Sequence, residues 1–199
     1  MGGDRGYSGA VRMAGEAALR VGTGLVSVAT HPVHAALVNL GRPELMCHGV
    51  ANAEQLSALL DKADVIAIGP GLGQSKWAEE LFSAALKSAK LLVIDADGLN
   101  LLAHNPEQQS NWILTPHPGE AARLLNCTIA AIQQDRYAAV TALQAKYGGI
   151  VVLKGAGTLI ASIDEVAVST TANPGMASGG MGDGRLSVAC VHGLGCLPS

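Results

Sequence analysis

Aromatic residues are scarce in this chain: one Phe, two Trp and three Tyr among 199 residues. A core with so few rings must be filled by Ala, Val, Leu and Ile, which favours an α/β arrangement over an aromatic-rich β-sandwich. Charge is sparse as well, at 15% of residues, with a formal net value of −3 and no run of Lys or Arg. Such a surface offers no broad basic field, so neither nucleic acid nor anionic lipid is expected as a partner. No apolar stretch approaches the roughly 20 residues that a membrane-spanning helix needs, and no membrane role is expected. The four cysteines, Cys47, Cys127, Cys190 and Cys196, are spaced as in no zinc or redox motif, and the opening residues are not a secretory signal. Reduced thiols and a cytoplasmic location are the expectation.

What the chain does have is aliphatic side chains and glycine. Hydrophobic residues make up 49% of it and glycines number 25, enough for one sizeable core and many unusual backbone turns. β-Branched apolar runs at 25–30, 65–68, 91–94, 112–114 and 150–153 read as buried strands. Between them, segments 8–21, 53–62, 77–89, 119–126 and 129–147 carry Ala, Leu and Val at spacings of three and four, the pattern of amphipathic helices. Alternation of the two predicts a mainly parallel sheet covered by helices in a single domain over 1–199. Segments 159–162 and 165–168 flank Asp164 and predict an antiparallel hairpin added to that sheet.

The informative positions are those that follow each strand. After 65–68 comes Gly-Pro-Gly-Leu-Gly at 69–73; after 91–94, Asp-Ala-Asp-Gly-Leu-Asn at 95–100; after 112–114, Thr-Pro-His-Pro-Gly-Glu at 115–120; after 150–153, Lys-Gly-Ala-Gly-Thr at 154–158. In an open parallel sheet the carboxyl ends of the strands lie along one edge, where ligands bind, so four segments are expected to converge there. The 69–73 turn permits close backbone approach to a ligand but lacks the Lys and hydroxyl of a Walker A loop, and serves equally as a strand-to-helix turn. Asp95 and Asp97 suit magnesium or the orientation of polar groups, and Asp97 suits equally the cap of a following helix. Two prolines stiffen the backbone around His117 and fix where its imidazole points.

Lys154 with the glycines and hydroxyl that follow offers a cation and exposed amides to phosphate oxygens, or a plain hairpin turn. Downstream, the glycines within 179–182 make turns without side chains whose amides can converge on an anion, and Asp183 closes that segment. A carboxylate beside an anion cradle suits a base that deprotonates a hydroxyl as it attacks a phosphoryl group.

These motifs, with Gly-Gly-Asp-Arg-Gly-Tyr-Ser-Gly-Ala at 2–10, stand in an order that resembles the ADP-dependent NAD(P)H-hydrate dehydratases, repair enzymes of carbohydrate-kinase type. The resemblance implies a ribokinase-like three-layer α/β fold with a mainly parallel central sheet. It implies a lyase acting on the S form of hydrated NADH or NADPH, with ADP as co-substrate converted to AMP and Mg2+ assisting. The 6-hydroxyl of the hydrated ring is phosphorylated and phosphate then leaves, which replaces the poor leaving group hydroxide by a good one. In this pattern Asp183 takes the hydroxyl proton, and Gly180, Met181 and Gly182 stabilise the transferring phosphoryl group. Ala10, Gly73, His117 and Asp183 contact the hydrated dinucleotide; Lys154, Gly155, Ala156, Gly157 and Thr158 hold the nucleotide's phosphates; Gly182 meets AMP. Asp95 and Asn100 are assigned to magnesium or substrate orientation.

The family pattern also predicts a strand before Gly2 and a long apolar helix after Asp183. Here Met1 stands directly at the first point and 184–199 keep little of the second register, so the fold is expected to be incomplete at both termini. Two alternatives stay open: a small-molecule kinase of the same fold, acting on a sugar or hydroxymethyl group, and an inactive nucleotide-binding fragment. A homo-oligomer is expected by resemblance to bacterial members.

Overall fold

The computed structural model describes residues 1–169. A short parallel pair, β1 (Val26–Thr30) and β2 (Leu45–Gly49), stands beside a six-stranded sheet. That sheet runs in the order β3 (Val65–Ile68), β4 (Leu91–Ile94), β5 (Trp112–Leu114), β6 (Ile150–Leu153), β7 (Thr158–Ala161) and β8 (Val166–Ser169). Strands β3 to β6 are parallel, while β7 and β8 pair antiparallel as the predicted hairpin. Leu92, Val93 and Ile94 are consecutive and all buried. Successive strand residues point to opposite faces, so both faces of the sheet are covered, the arrangement a parallel sheet requires.

Eight α-helices and a 3-10 turn (Pro32–His34) accompany these strands among the described residues: α1 (Ser8–Arg20), α2 (Ala35–Val38), α3 (Ala53–Lys62), α4 (Lys76–Lys87), α5 (Ala96–His104), α6 (Pro118–Leu125), α7 (Ile129–Gln134) and α8 (Arg136–Tyr147). None is long and apolar enough to cross a membrane. The main core lies between sheet and helices, with Ile68, Leu81, Ile94, Leu102, Leu114 and Leu143 at 0% exposure. Each such aliphatic side chain contributes about 1.5–3 kcal/mol through burial. A smaller core of Val11, Val28, Val38 and Leu45 joins α1 to the β1–β2 pair. Gly15 allows that contact, since a Cβ there would lie 3.0 Å from a Leu45 methyl.

Residues 1–4 link the two sheets. On one side the Gly2 amide donates to Ala29 O at 3.1 Å and the His31 amide to Gly3 O at 3.3 Å. On the other, Gly3 N–H donates to Pro70 O at 3.1 Å and Asp4 N–H to Gly71 O at 2.7 Å. The buried Thr30 hydroxyl also donates to Gly3 O, at 2.9 Å.

Four elements differ from the sequence reading, one being the short helix α2, which no apolar periodicity marked. The single helix expected over 129–147 is two, because Asp135 leaves helical geometry (φ −143°, ψ 88°) and its carboxylate caps α8 by accepting the Ala138 amide at 2.9 Å. Strand β2 was hidden because Leu-Met-Cys-His-Gly neither alternates nor contains a β-branched residue. Helix α5 begins at Ala96, ahead of Asp97, so Asp97 sits inside the first turn rather than capping it.

Candidate active site

The segments that follow β4, β5 and β6 each extend the ladder by a backbone bond, which fixes where their side chains emerge. Asp95 N–H donates to Ile68 O at 3.1 Å, Thr115 N–H to Ile94 O at 3.1 Å, and Lys154 N–H to Pro116 O at 2.8 Å. The carboxyl ends of β3, β4, β5 and β6 therefore form one continuous edge. Gly69 has φ +130°, and a Cβ on it would fall 1.7 Å from the Asp95 carbonyl oxygen. Only glycine allows the turn after β3 to press against the turn after β4. Ala96, next along, holds φ +47°, an uncommon left-handed backbone for a residue with a Cβ, at the point where the chain enters α5.

Lys154 is the centre of the charged half of the site. Its Nζ lies 2.6 Å from Asp95 Oδ1 and 3.8 Å from Glu120 Oε2, with all three side chains at least largely buried. One ammonium facing two carboxylates in a dry setting favours a proton on one of them. Burial pushes the Glu120 carboxyl up to about 7, with the Lys154 ammonium pulling the other way.

His117 and Glu120 hold each other through the start of α6. His117 Nδ1 accepts the Gly119 amide at 2.9 Å and the Glu120 amide at 3.4 Å, while Glu120 Oε2 accepts the His117 amide at 2.7 Å. This is a capping box with imidazole in the place of a hydroxyl. Because Nδ1 is an acceptor, the neutral ring carries its proton on Nε2, which lies 3.5 Å from Glu120 Oε1. Burial lowers the imidazole's affinity for a second proton, and the Lys154 ammonium adds to that. The ring is therefore a donor at Nε2, on a side chain that is about half exposed.

The second half of the site surrounds Gly73. Its amide donates to Asp97 Oδ2 at 2.8 Å, and a Cβ at this position would come 3.1 Å from Asp4 Oδ2. Asp97 Oδ1 accepts from Asn100 Nδ2 at 3.2 Å, and Asn100 Oδ1 accepts from Arg123 of α6. Ala10 joins this half through Gly71, where an added Cβ would stand 3.2 Å from the Ala10 Cβ. Ser75, which caps α4, donates its hydroxyl to Asp4 Oδ2 at 2.7 Å.

A sequence model of the family described as NAD(P)H-hydrate dehydratase matches residues 1–186. The chain belongs to that family. A bifunctional NAD(P)H-hydrate repair enzyme from Coxiella burnetii is 56% identical over 184 residues, which are 92% of this chain and 38% of that protein. A ribokinase-like superfamily protein from Enterococcus faecalis has a crystal structure 33% identical, with a TM-score of 0.84, covering 95% of this chain and 68% of that one. The ADP/ATP-dependent NAD(P)H-hydrate dehydratase from Bacillus subtilis, co-crystallised with ATP and Mg2+ and soaked with CoA, is 27% identical with a TM-score of 0.80 over 95% of this chain and 70% of its own. The chain spans about two-fifths of the length of the first curated relatives it matches. The α/β fold with a mostly parallel sheet is thus the ribokinase-like fold that the resemblance implied.

Within this dehydratase-family frame, the residues singled out by sequence fall into two groups and a remainder. Asp95, His117 and Lys154 lie together, and Ala10, Gly73 and Asn100 lie along the neighbouring turn. Gly155, Ala156, Gly157 and Thr158 form the turn after Lys154, closed by the Thr158 hydroxyl on Gly155 O at 3.1 Å. Gly180, Met181, Gly182 and Asp183 lie outside the described residues. Sequence reasoning gave no role to Glu120, although its place three residues after His117 is the capping-box spacing. It also passed over Asp4, Arg123 and Arg136, whose importance arises only from contacts between distant segments.

Proposed function

We propose that this chain carries the dehydratase chemistry of its family, returning the S form of hydrated NADH or NADPH to the reduced dinucleotide with ADP as phosphoryl donor. The observation that supports this most is the convergence of the 69–73, 95–100, 115–120 and 154–158 segments on one sheet edge, with a buried cation at its centre. In this reading Lys154, Gly155, Ala156, Gly157 and Thr158 receive the phosphates of ADP. Ala10, Gly73 and His117 receive the hydrated dinucleotide, and His117 does so as a hydrogen-bond donor from Nε2. Asp183 accepts the proton of the 6-hydroxyl as it attacks the terminal phosphoryl group, and Gly180, Met181 and Gly182 cradle the charge that moves. AMP departs; inorganic phosphate then leaves the ring together with a ring proton, which completes the loss of water.

Magnesium fits this site as a companion of the nucleotide. Among the described residues no three His, Cys, Asp or Glu side chains are grouped to hold a metal ion by themselves. Hard dications in such sites are bound by substrate phosphates and water with one or two carboxylates, and Asp95, whose Oδ1 is paired with Lys154, would supply one through its other oxygen, with Asn100 orienting Asp97. When bound, the ion would neutralise charge on the phosphates.

Incubation of the protein with hydrated NADH and ADP tests the reading through the return of reduced-nicotinamide absorbance. Recovery in the unmodified chain and its loss in Asp183→Asn are expected. No recovery, with phosphorylation of an alcohol substrate instead, would replace this reading by the kinase one, and normal turnover in Asp183→Asn would remove the assigned base.

A further inference from the structure

Arg136 is the first residue of α8 and sits against the turn after β6. Its Nη1 donates to Ala156 O at 2.6 Å and its Nη2 to Leu153 O at 3.2 Å. Its Nε is buried with no hydrogen-bond partner, and no carboxylate among the described residues lies within 4.0 Å of the guanidinium. Gly155 lies flat against that group: a Cβ on it would come 2.7 Å from Nη2 and 3.1 Å from Cζ.

Two consequences follow from elementary geometry. In a trans peptide the C=O of one residue and the N–H of the next point in opposite directions, and every peptide among the described residues is trans. Drawing Leu153 O toward Arg136 sends the Lys154 amide the other way, where it meets Pro116 O at 2.8 Å. The backbone that carries Lys154 is thereby clamped from both sides, and its Nζ is delivered to Asp95. Drawing Ala156 O toward Arg136 likewise turns the Gly157 amide away from the guanidinium, outward from the turn. The second consequence is electrostatic. A partly buried cation that faces carbonyls and, among the described residues, no carboxylate leaves its charge beside the turn, available to an anion seated there.

We propose that Arg136 is a positioning residue for the phosphates of the adenine nucleotide: it fixes the 154–158 turn by two carbonyl oxygens, turns the Gly157 amide outward and leaves a positive charge behind the turn for bound phosphate to neutralise. This rests on the reading of that turn as the nucleotide site. The break in the helix at Asp135 gains a purpose from it, since the break places a guanidinium at the turn.

Calorimetric titration of the full chain with ADP, beside steady-state kinetics for each substrate and thermal unfolding, tests the proposal in Arg136→Gln and Arg136→Lys. The dissociation constant and KM for ADP should rise about tenfold or more in Arg136→Gln. KM for the hydrated dinucleotide should stay near that of the unmodified chain. Arg136→Lys, which keeps the charge and one carbonyl contact, should fall between the two, and supplies the comparison if the Gln variant unfolds. Wild-type affinity for ADP in either variant when folded would overturn the proposal, as would an equal rise in KM for both substrates, which is the mark of general disruption. Failure of the unmodified chain to bind ADP would overturn the reading of the turn itself, and the inference with it.

Discussion

Glu120 shows how one side chain sets the character of the site. It is 7% exposed, accepts one backbone amide and faces an ammonium already committed to Asp95. Its carboxyl is raised to about 7 by burial, against an ordinary value of 4.5. Folding therefore favours the protonated form. The associated stability is fully present below about 4.5 and is lost as pH rises through about 7. His117, whose imidazole is lowered, acts in the opposite sense, its contribution being lost as pH falls. Glu120→Gln keeps an acceptor for the His117 amide and removes only the titration. The variant should gain stability relative to the unmodified chain as pH rises from 5 to 8, by up to about 3 kcal/mol. Denaturant unfolding of the pair across that range measures it, and a difference independent of pH would show that Glu120 ionises in the folded protein as freely as in the unfolded one.

At the scale of elements, the joint between α7 and α8 governs the turn after β6. Asp135→Ala removes the cap of α8 and should cost about 1 kcal/mol in global stability. It should also loosen Arg136, the next residue, so that ADP affinity falls more than affinity for the dinucleotide; equal losses for both ligands would separate the joint from the turn. This joint also marks where the sequence stopped being legible. Strands β3, β4, β5 and β6 coincide with the apolar runs, because a strand buried on both faces has to be apolar throughout. The strand-end glycines and His117 were visible for the same reason, since each follows a run whose end is unmistakable. Asp135 looks like any polar residue on the exposed face of a helix, and only the three-dimensional demand of the turn explains the break. Glu120 and Arg136 escaped notice because their roles are contacts, with segments up to 34 and 20 residues away respectively in the chain.

In the molecule as a whole, two hydrophobic cores meet at β1, where Ala29 belongs to the main one and Val28 to the smaller. The main core is large, whereas the smaller one has only Val11, Val28, Val38 and Leu45 fully inside. Beyond that shared strand, the two are joined by the backbone bonds that residues 1–4 make to β1 on one side and to the turn after β3 on the other. Thr30 sits at this junction, 0% exposed, with its hydroxyl donating to Gly3 O. Thr30→Val keeps the shape of the side chain and leaves that acceptor with one bond fewer, at a cost of about 1–2 kcal/mol. Because Gly3 also holds Pro70 O, the same change should loosen the turn that carries Gly73 and Asp97. Native-state hydrogen exchange resolves the effect by location. Protection of amides in α1, β1 and β2 should fall in Thr30→Val, while that of β4 and β5 should hold to the extent that the main core folds on its own. A uniform loss across both sheets would instead make the two cores a single cooperative unit.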